Sequence, residues 1–259
     1  RDRSPSRGLG DVYKRQAYTV GAGLVQIYTA SENRLALQEL LPEAIISCYD
    51  SYDDSQLSHL LDWADVVCIG CGLGMGQISE KILKNVLKNV SCPCVIDADG
   101  LNLLSRNIEL LNQCCAPVIL TPHMKEMSRL TGWSIDTIME DRFQALDQII
   151  KQSGPDTKSS IICVLKDSRT VVAQTNRQRF VNLAGNNSMA KGGSGDVLAG
   201  TIAGLLAQHM APFEATTVGV FLHACGGDEA KKSKGSYSVL ARDLIQGMAD
   251  AMKNAKECR

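Results

Sequence analysis

Short runs of β-branched and other apolar residues alternate along this chain with longer stretches whose apolar positions recur every three or four residues. The short runs at residues 24–29, 43–47, 66–70, 94–97, 118–121 and 161–165 predict strands. The longer stretches predict helices at 32–41, where Pro42 stops the pattern, at 57–63 and 78–87, and as one long helix over 135–152. Residues 170–174 and 179–182 flank the turn-like Thr175-Asn176-Arg177-Gln178 and predict a hairpin. Three helices, at about 194–209, 213–231 and 239–256, close the chain.

Continuous apolar strands separated by helices imply an α/β domain with a mostly parallel sheet covered on both faces. Ligands in such sheets sit beyond the carboxyl ends of the strands. No linker, repeat or low-complexity tract interrupts the pattern after Gln16, so residues 17–259 read as one domain. Residues 1–16 differ: they are rich in Arg, Ser and Gly, show no apolar period, and are expected to be a non-native tail. With 44% hydrophobic and 21% charged residues and a formal charge of −1, the chain gives no electrostatic case for a nucleic-acid or membrane partner. No apolar run is long enough to span a bilayer. The ten cysteines sit in strand-like and helical runs without a secretory signal, which predicts free thiols and a reducing cytoplasm. Cys68-Ile-Gly-Cys71 has metal or redox spacing, but Cys92-Pro-Cys94 has the wrong spacing to complete a zinc ribbon, and no resident protein-held metal is expected.

The densest chemistry lies in Gly185-Asn-Asn-Ser-Met-Ala-Lys-Gly-Gly-Ser-Gly-Asp196, followed by an apolar helical run. Glycines bring backbone N–H groups close to a ligand, and the start of a helix adds its unpaired N–H groups and positive dipole end. That combination is an anion site. Asp196 repels an anion there, so its placement suits a base that takes a proton from a hydroxyl attacking phosphorus. Neither a Walker loop nor the dinucleotide fingerprint is present. Other polar residues fall at expected strand ends: Gly70-Cys71-Gly72-Leu73-Gly74, Asp97-Ala98-Asp99, Thr121-Pro122-His123 and Lys166-Asp167-Ser168-Arg169-Thr170. Each alone has a plain structural reading, such as Asp97 and Asp99 capping a helix. Together they predict a shared pocket.

In this order, with Gly21-Ala22-Gly23-Leu24-Val25, Val95 to Leu104, Leu120-Thr121-Pro122-His123 and Glu126, these motifs resemble the ADP/ATP-dependent NAD(P)H-hydrate dehydratase family. That family belongs to the carbohydrate-kinase branch of the ribokinase-like superfamily. The resemblance covers nearly everything from about Ala17 onward. It implies a ribokinase-like three-layer sandwich, here expected to lack its N-terminal strand. It implies nucleotide-dependent dehydration of hydrated NADH and NADPH, with ADP or ATP as co-substrate and Mg²⁺ on its phosphates. In these roles Asp196 is the base, and Gly193, Ser194 and Gly195 hold the phosphoryl charge. Gly72, His123, Asp99, Asn186 and Asp196 contact the hydrate, while Lys166, Asp167, Ser168, Arg169, Thr170 and Gly195 contact the nucleotide. The resemblance also implies a homo-oligomer, and a fusion or partnership with an epimerase. Cys71 stands where the family usually has Pro, Met124-Lys125 where it has Pro-Gly, and Lys191 where a small Thr is common. Two other readings stay open: a vitamin-precursor kinase of the same superfamily, and a domain that binds nucleotide without turnover.

Overall fold

A computed structural model describes residues 12–152, 160–175 and 178–257. In chain order, α1 (Val12–Thr19), β1 (Gln26–Ala30), α2 (Arg34–Leu40), β2 (Ile45–Tyr49) and α3 (Asp54–Trp63) lead into a β/α series. The series runs β3 (Val67–Ile69), α4 (Gln77–Asn89), β4 (Cys94–Ile96), α5 (Ala98–Leu104), β5 (Val118–Leu120), α6 (Met124–Thr131), α7 (Ile135–Glu140), α8 (Arg142–Ile150) and β6 (Ile161–Leu165). The hairpin β7 (Val171–Gln174) and β8 (Arg179–Val181) follows, and then α9 (Ser194–Ala207), α10 (Pro212–Lys234) and α11 (Ala241–Glu257).

Six strands form the main sheet in the order β3-β4-β5-β6-β7-β8, and β1 pairs in parallel with β2 as a separate ribbon. Strands β3 to β6 are parallel, and β7 and β8 add antiparallel. Alternation along each strand divides the core. Cys94, Ile96, Val118, Leu120, Ile161 and Cys163 face a layer built around Leu83, Leu87, Leu101 and Leu146. Val95, Ile119, Ile162 and Val164 face Leu198, Ile202 and Leu206 of α9, with Val220 of α10. Both faces are buried, which explains the unbroken apolar strands and gives the expected three-layer, mostly parallel architecture.

Two expectations change. The long helix over 135–152 is two helices, because Asp141 takes an extended conformation (φ −142°, ψ 90°) and its carboxylate accepts the Gln144 N–H. Aspartate caps better than it continues a helix, so the apolar period crosses the break while the backbone does not. Helix α6, missing from the apolar pattern, starts at a capping box: His123 Nδ1 accepts from Lys125 and Glu126 N–H, and Glu126 accepts from His123 N–H. Residues 176 and 177 of the expected turn, and residues 1–11 of the expected tail, lie outside the described residues. Helix α1 crosses the expected boundary at Gln16 and packs on α9, where Gly204 leaves room for Ala17 and Val20.

Gln16 is fully buried there, and neither atom of its carboxamide has a hydrogen-bond partner. An unsatisfied buried polar group costs about 1–3 kcal/mol. Gln16→Leu is therefore expected to raise the thermal midpoint by several degrees, at about 2–4 °C per kcal/mol for a chain of this size. An unchanged or lower midpoint in a melting experiment contradicts this.

Candidate active site

The parallel register places four strand ends side by side. Ile69, Ile96 and Leu120 align across β3, β4 and β5, and a bridge between His123 and Lys166 carries the β5–β6 pairing past the strands. Gly70 turns at φ +120°, where a Cβ would collide with the Asp97 carbonyl oxygen, so only glycine lets the two chain segments meet. Asp97 occupies the cap position of α5 but makes no cap hydrogen bond. Its carboxylate, 1% exposed, instead accepts from Lys166 Nζ at 2.7 Å. Asp99 does not cap either; it accepts the Gly74 N–H at 2.8 Å and ties the Gly70–Gly74 loop to α5. Ala98 between them has φ +49°, a strained backbone at the centre of the cluster.

Helix α9 points its N-terminus at this cluster. Gly193 caps it in a left-handed conformation, φ +88°, and a Cβ on Gly195 would lie 3.0 Å from Lys166 Nζ and 3.6 Å from Asp97 Oδ2. Ser194 N–H donates to Lys191 O at 3.2 Å, and no hydrogen bond to the amides of Gly193, Gly195 or Asp196 is found among the described residues. Single ligand atoms of Cys71, Asp97 and Asp196 lie within 4.8 Å of one another. The centre is therefore one ammonium among several carboxylates, beside open amides at a helix start.

Burial pushes the Asp196 carboxyl up to about 6, and the charge of Asp97 adds to the rise. Burial also lifts Glu126 to about 7, its Oε2 being 4.0 Å from Lys166 Nζ. Burial would lower Lys166, but the carboxylates of Asp97 and Glu126 outweigh it and hold the ammonium above its ordinary value. His123 is lowered by burial and by Lys166. The Cys71 thiol, which donates to Asp97 Oδ2 at 3.9 Å, is held well above its ordinary value by the neighbouring Cys68, by desolvation and by nearby carboxylates, and is a poor nucleophile.

The structure brings together Asp196, Gly193, Ser194, Gly195 and Lys166; Asp99, in α5, ties down the loop that contains Gly72, and His123 lies beside Lys166 in the sheet register. Beyond Lys166, the side chains of this strand-end segment are held by protein partners or exposed. Asp167 pairs with Arg142 at 2.7 Å, Arg169 donates to Leu183 O at 3.0 Å, and Thr170 Oγ1 bonds Asp167 O at 3.3 Å. Ser168 is exposed. The Asn186 side chain is engaged by Asp228 and Ser188. Asp97, Glu126 and His223 carry polar contacts here without an assigned role from sequence. The capping-box spacing of His123 and Glu126 could have revealed Glu126, whereas His223 has no local signal.

A family model described as NAD(P)H-hydrate dehydratase matches residues 15–249. The chain belongs to this family. Among its relatives, the bifunctional NAD(P)H-hydrate repair enzyme Nnr of Moorella thermoacetica is 34% identical over 249 residues, covering 93% of this chain and 46% of that protein. The ADP-dependent (S)-NAD(P)H-hydrate dehydratase of Neisseria meningitidis is 35% identical over 222 residues, covering 84% of this chain and 73% of that one. The chain spans about half the length of the first bifunctional relatives it matches. The ADP/ATP-dependent NAD(P)H-hydrate dehydratase from Bacillus subtilis, co-crystallized with ATP/Mg²⁺, superposes with a TM-score of 0.81 at 26% identity, covering 96% of this chain and 85% of that one. A hydroxyethylthiazole kinase from Pyrococcus horikoshii shares the fold at a TM-score of 0.63 and 15% identity, which speaks for the fold alone.

Proposed function

We propose that this domain carries out the nucleotide-dependent dehydration of (6S)-NADHX and NADPHX to NADH and NADPH. The observation that carries the reading is Asp196, a carboxyl poised near 6 in the first turn of α9, behind open amides and across from the Lys166–Asp97 pair. The family match and the dehydratase relatives support the substrate class.

Asp196 takes the proton from the hydrate hydroxyl as that oxygen attacks the terminal phosphorus of ADP or ATP. The amides of Gly193 and Gly195, with the Ser194 hydroxyl and the helix dipole, hold the charge of the transferring phosphoryl group. The phosphorus–oxygen bond to the nucleotide breaks and AMP or ADP leaves; the C6–O bond then breaks with loss of phosphate, and loss of a proton from the adjacent ring carbon restores the dihydronicotinamide double bond. Lys166 faces the phosphates, and the segment through Asp167, Ser168, Arg169 and Thr170 borders the nucleotide. Gly72, Asp99, His123 and Asn186 border the hydrate. Asp97 is excluded as the base, because it is buried and already bonded to Lys166.

Mg²⁺ would be held mainly by the nucleotide phosphates, because Asp97 is committed to Lys166, Glu126 to the His123 N–H, and Cys71 offers soft sulfur. When bound, the ion neutralises phosphate charge. An epimerase partner, fused or separate, fits the bifunctional relatives, and a cytoplasmic homo-oligomer completes the reading. No helix among the described residues is long and apolar enough to cross a membrane.

The test mixes the purified chain with hydrated NADH, Mg²⁺ and ADP or ATP, and follows the near-ultraviolet absorbance of the restored ring. A nucleotide-dependent rise is expected, with a rate that falls as pH drops through about 6, where Asp196 protonates. Stabilisation by nucleotide without any rise would overturn the assignment in favour of a non-catalytic binder. Phosphorylation of a hydroxyethylthiazole- or pyridoxal-type alcohol in its place would point to a vitamin-precursor kinase.

A further inference from the structure

The segment between β8 and α9 carries the anion site, yet sheet pairing barely holds it. Its last bond to the sheet is Asn182 N–H to Thr170 O at 2.9 Å. From Gly185 (φ +95°) to Gly193 (φ +88°) its backbone bonds are local, such as Met189 N–H to Asn186 O and Lys191 N–H to Met189 O. Lys191 Nζ adds one contact, to Tyr237 O at 3.3 Å. Apart from Arg169, which donates to Leu183 O at 3.0 Å, the remaining attachments come from one face of α10, where His223 and Gly227, and Ala224 and Asp228, are each one turn apart.

At the start of the segment, Asp228 accepts Gly185 N–H at 3.1 Å and Asn186 Nδ2 at 2.7 Å. In the middle, Gly227 leaves the space that Met189 fills; a Cβ at Gly227 would collide with the Met189 sulfur. At the end, His223 Nε2 shares a hydrogen bond with Ser194 Oγ at 3.3 Å. Burial keeps His223 neutral down to about 4, so it adds no charge beside the phosphate site. The loop is thus fixed at both ends by side chains of a helix more than 25 residues downstream.

We propose that His223 and Asp228 are positioning residues that clamp the Gly185–Ser194 loop and hold its amides ready for a phosphoryl group. This rests on the reading of that loop as the phosphoryl site. Asp228 sets where the loop leaves the sheet, and His223 sets the first turn of α9, including the rotamer of Ser194. Neither residue touches reacting atoms. Preorganised donors need no rearrangement when charge develops, so loosening either anchor weakens nucleotide binding and slows turnover together.

The test measures Mg²⁺·ADP affinity, turnover and amide hydrogen exchange in the full chain carrying His223→Ala or Asp228→Ala. Each is expected to weaken Mg²⁺·ADP by about tenfold, the scale of one lost hydrogen bond near charge, and to speed exchange only across 185–196. His223→Gln, which can still reach Ser194, and the reciprocal swap Asn186→Asp with Asp228→Asn, which rebuilds the pair, should recover affinity and protection. Alanine variants with affinity and exchange within twofold of the parent would overturn the clamp. So would alanine variants that fail to fold, because the residues would then hold the domain rather than the loop. Asp196→Asn is run alongside: if it keeps full turnover, the phosphoryl-site reading fails, while exchange across 185–196 still reports on the clamp.

Discussion

Asp196→Asn is expected to lower turnover by about 10²–10⁴-fold, the usual contribution of a positioned general base. The substitution keeps the size and planarity of the side chain but removes its ability to take the hydroxyl proton. It also removes a negative charge from beside the phosphates, so nucleotide affinity should stay level or rise. Turnover and Mg²⁺·ADP binding therefore move apart. That separation distinguishes loss of a base from a distorted α9 start, which would weaken both. The acid limb near pH 6 should vanish from any residual activity, because the group that burial and Asp97 push up to about 6 is gone. Turnover within a few-fold of the parent would remove Asp196 from the role. Neighbouring carboxyls are poor replacements: Asp97 is bonded to Lys166, and Asp99 holds the Gly74 amide.

The layers and strand ends were legible because each parallel strand is buried on both faces and reads as an unbroken apolar run ending in polar residues. Gly70, Asp97, His123 and Lys166 follow such runs directly, and the sheet register does the rest. The anion loop was legible from its glycines, since few other roles use Gly-x-Gly-Asp before an apolar helix. Directions of side chains were not legible. Lys166 turns inward to Asp97, 69 residues away, while Asp167 turns to Arg142 and Arg169 to Leu183. A run of five polar residues does not say which of them faces a neighbour that only the fold supplies. His223 and Asp228 were hidden for the same reason: they sit inside a long helix with no local motif around them, and their partners lie 29 to 43 residues earlier. The break at Asp141 escaped because apolar periodicity reports burial, not the backbone conformation of one polar residue.

Lys166→Met is expected to cost about 3–5 kcal/mol of stability, the range found when one member of a buried ion pair is removed. Met fills most of the space, so the effect is chiefly one of charge. Asp97, 1% exposed, loses its counter-ion, and Glu126 loses the ammonium that opposes its rise. The raised pKa of Lys166 means that its contribution is complete below its unfolded value and fades only as pH rises through the still higher folded value. At neutral pH the whole contribution is therefore at stake. The same loss lifts Asp196 further, because Lys166 now holds it down, so the acid limb of any remaining turnover moves above pH 6. Arginine should not substitute, since Lys166 meets buried Asp97 through a single 2.7 Å contact of its point-charge ammonium, a geometry the longer planar guanidinium does not reproduce. Adding Asp97→Asn to Lys166→Met removes both charges, and denaturant melts of the double variant should recover most of the loss. Turnover should stay low, because the cation that faces the phosphates is still missing. A double variant as unstable as the single one would show that packing, not the charge pair, carries the cost.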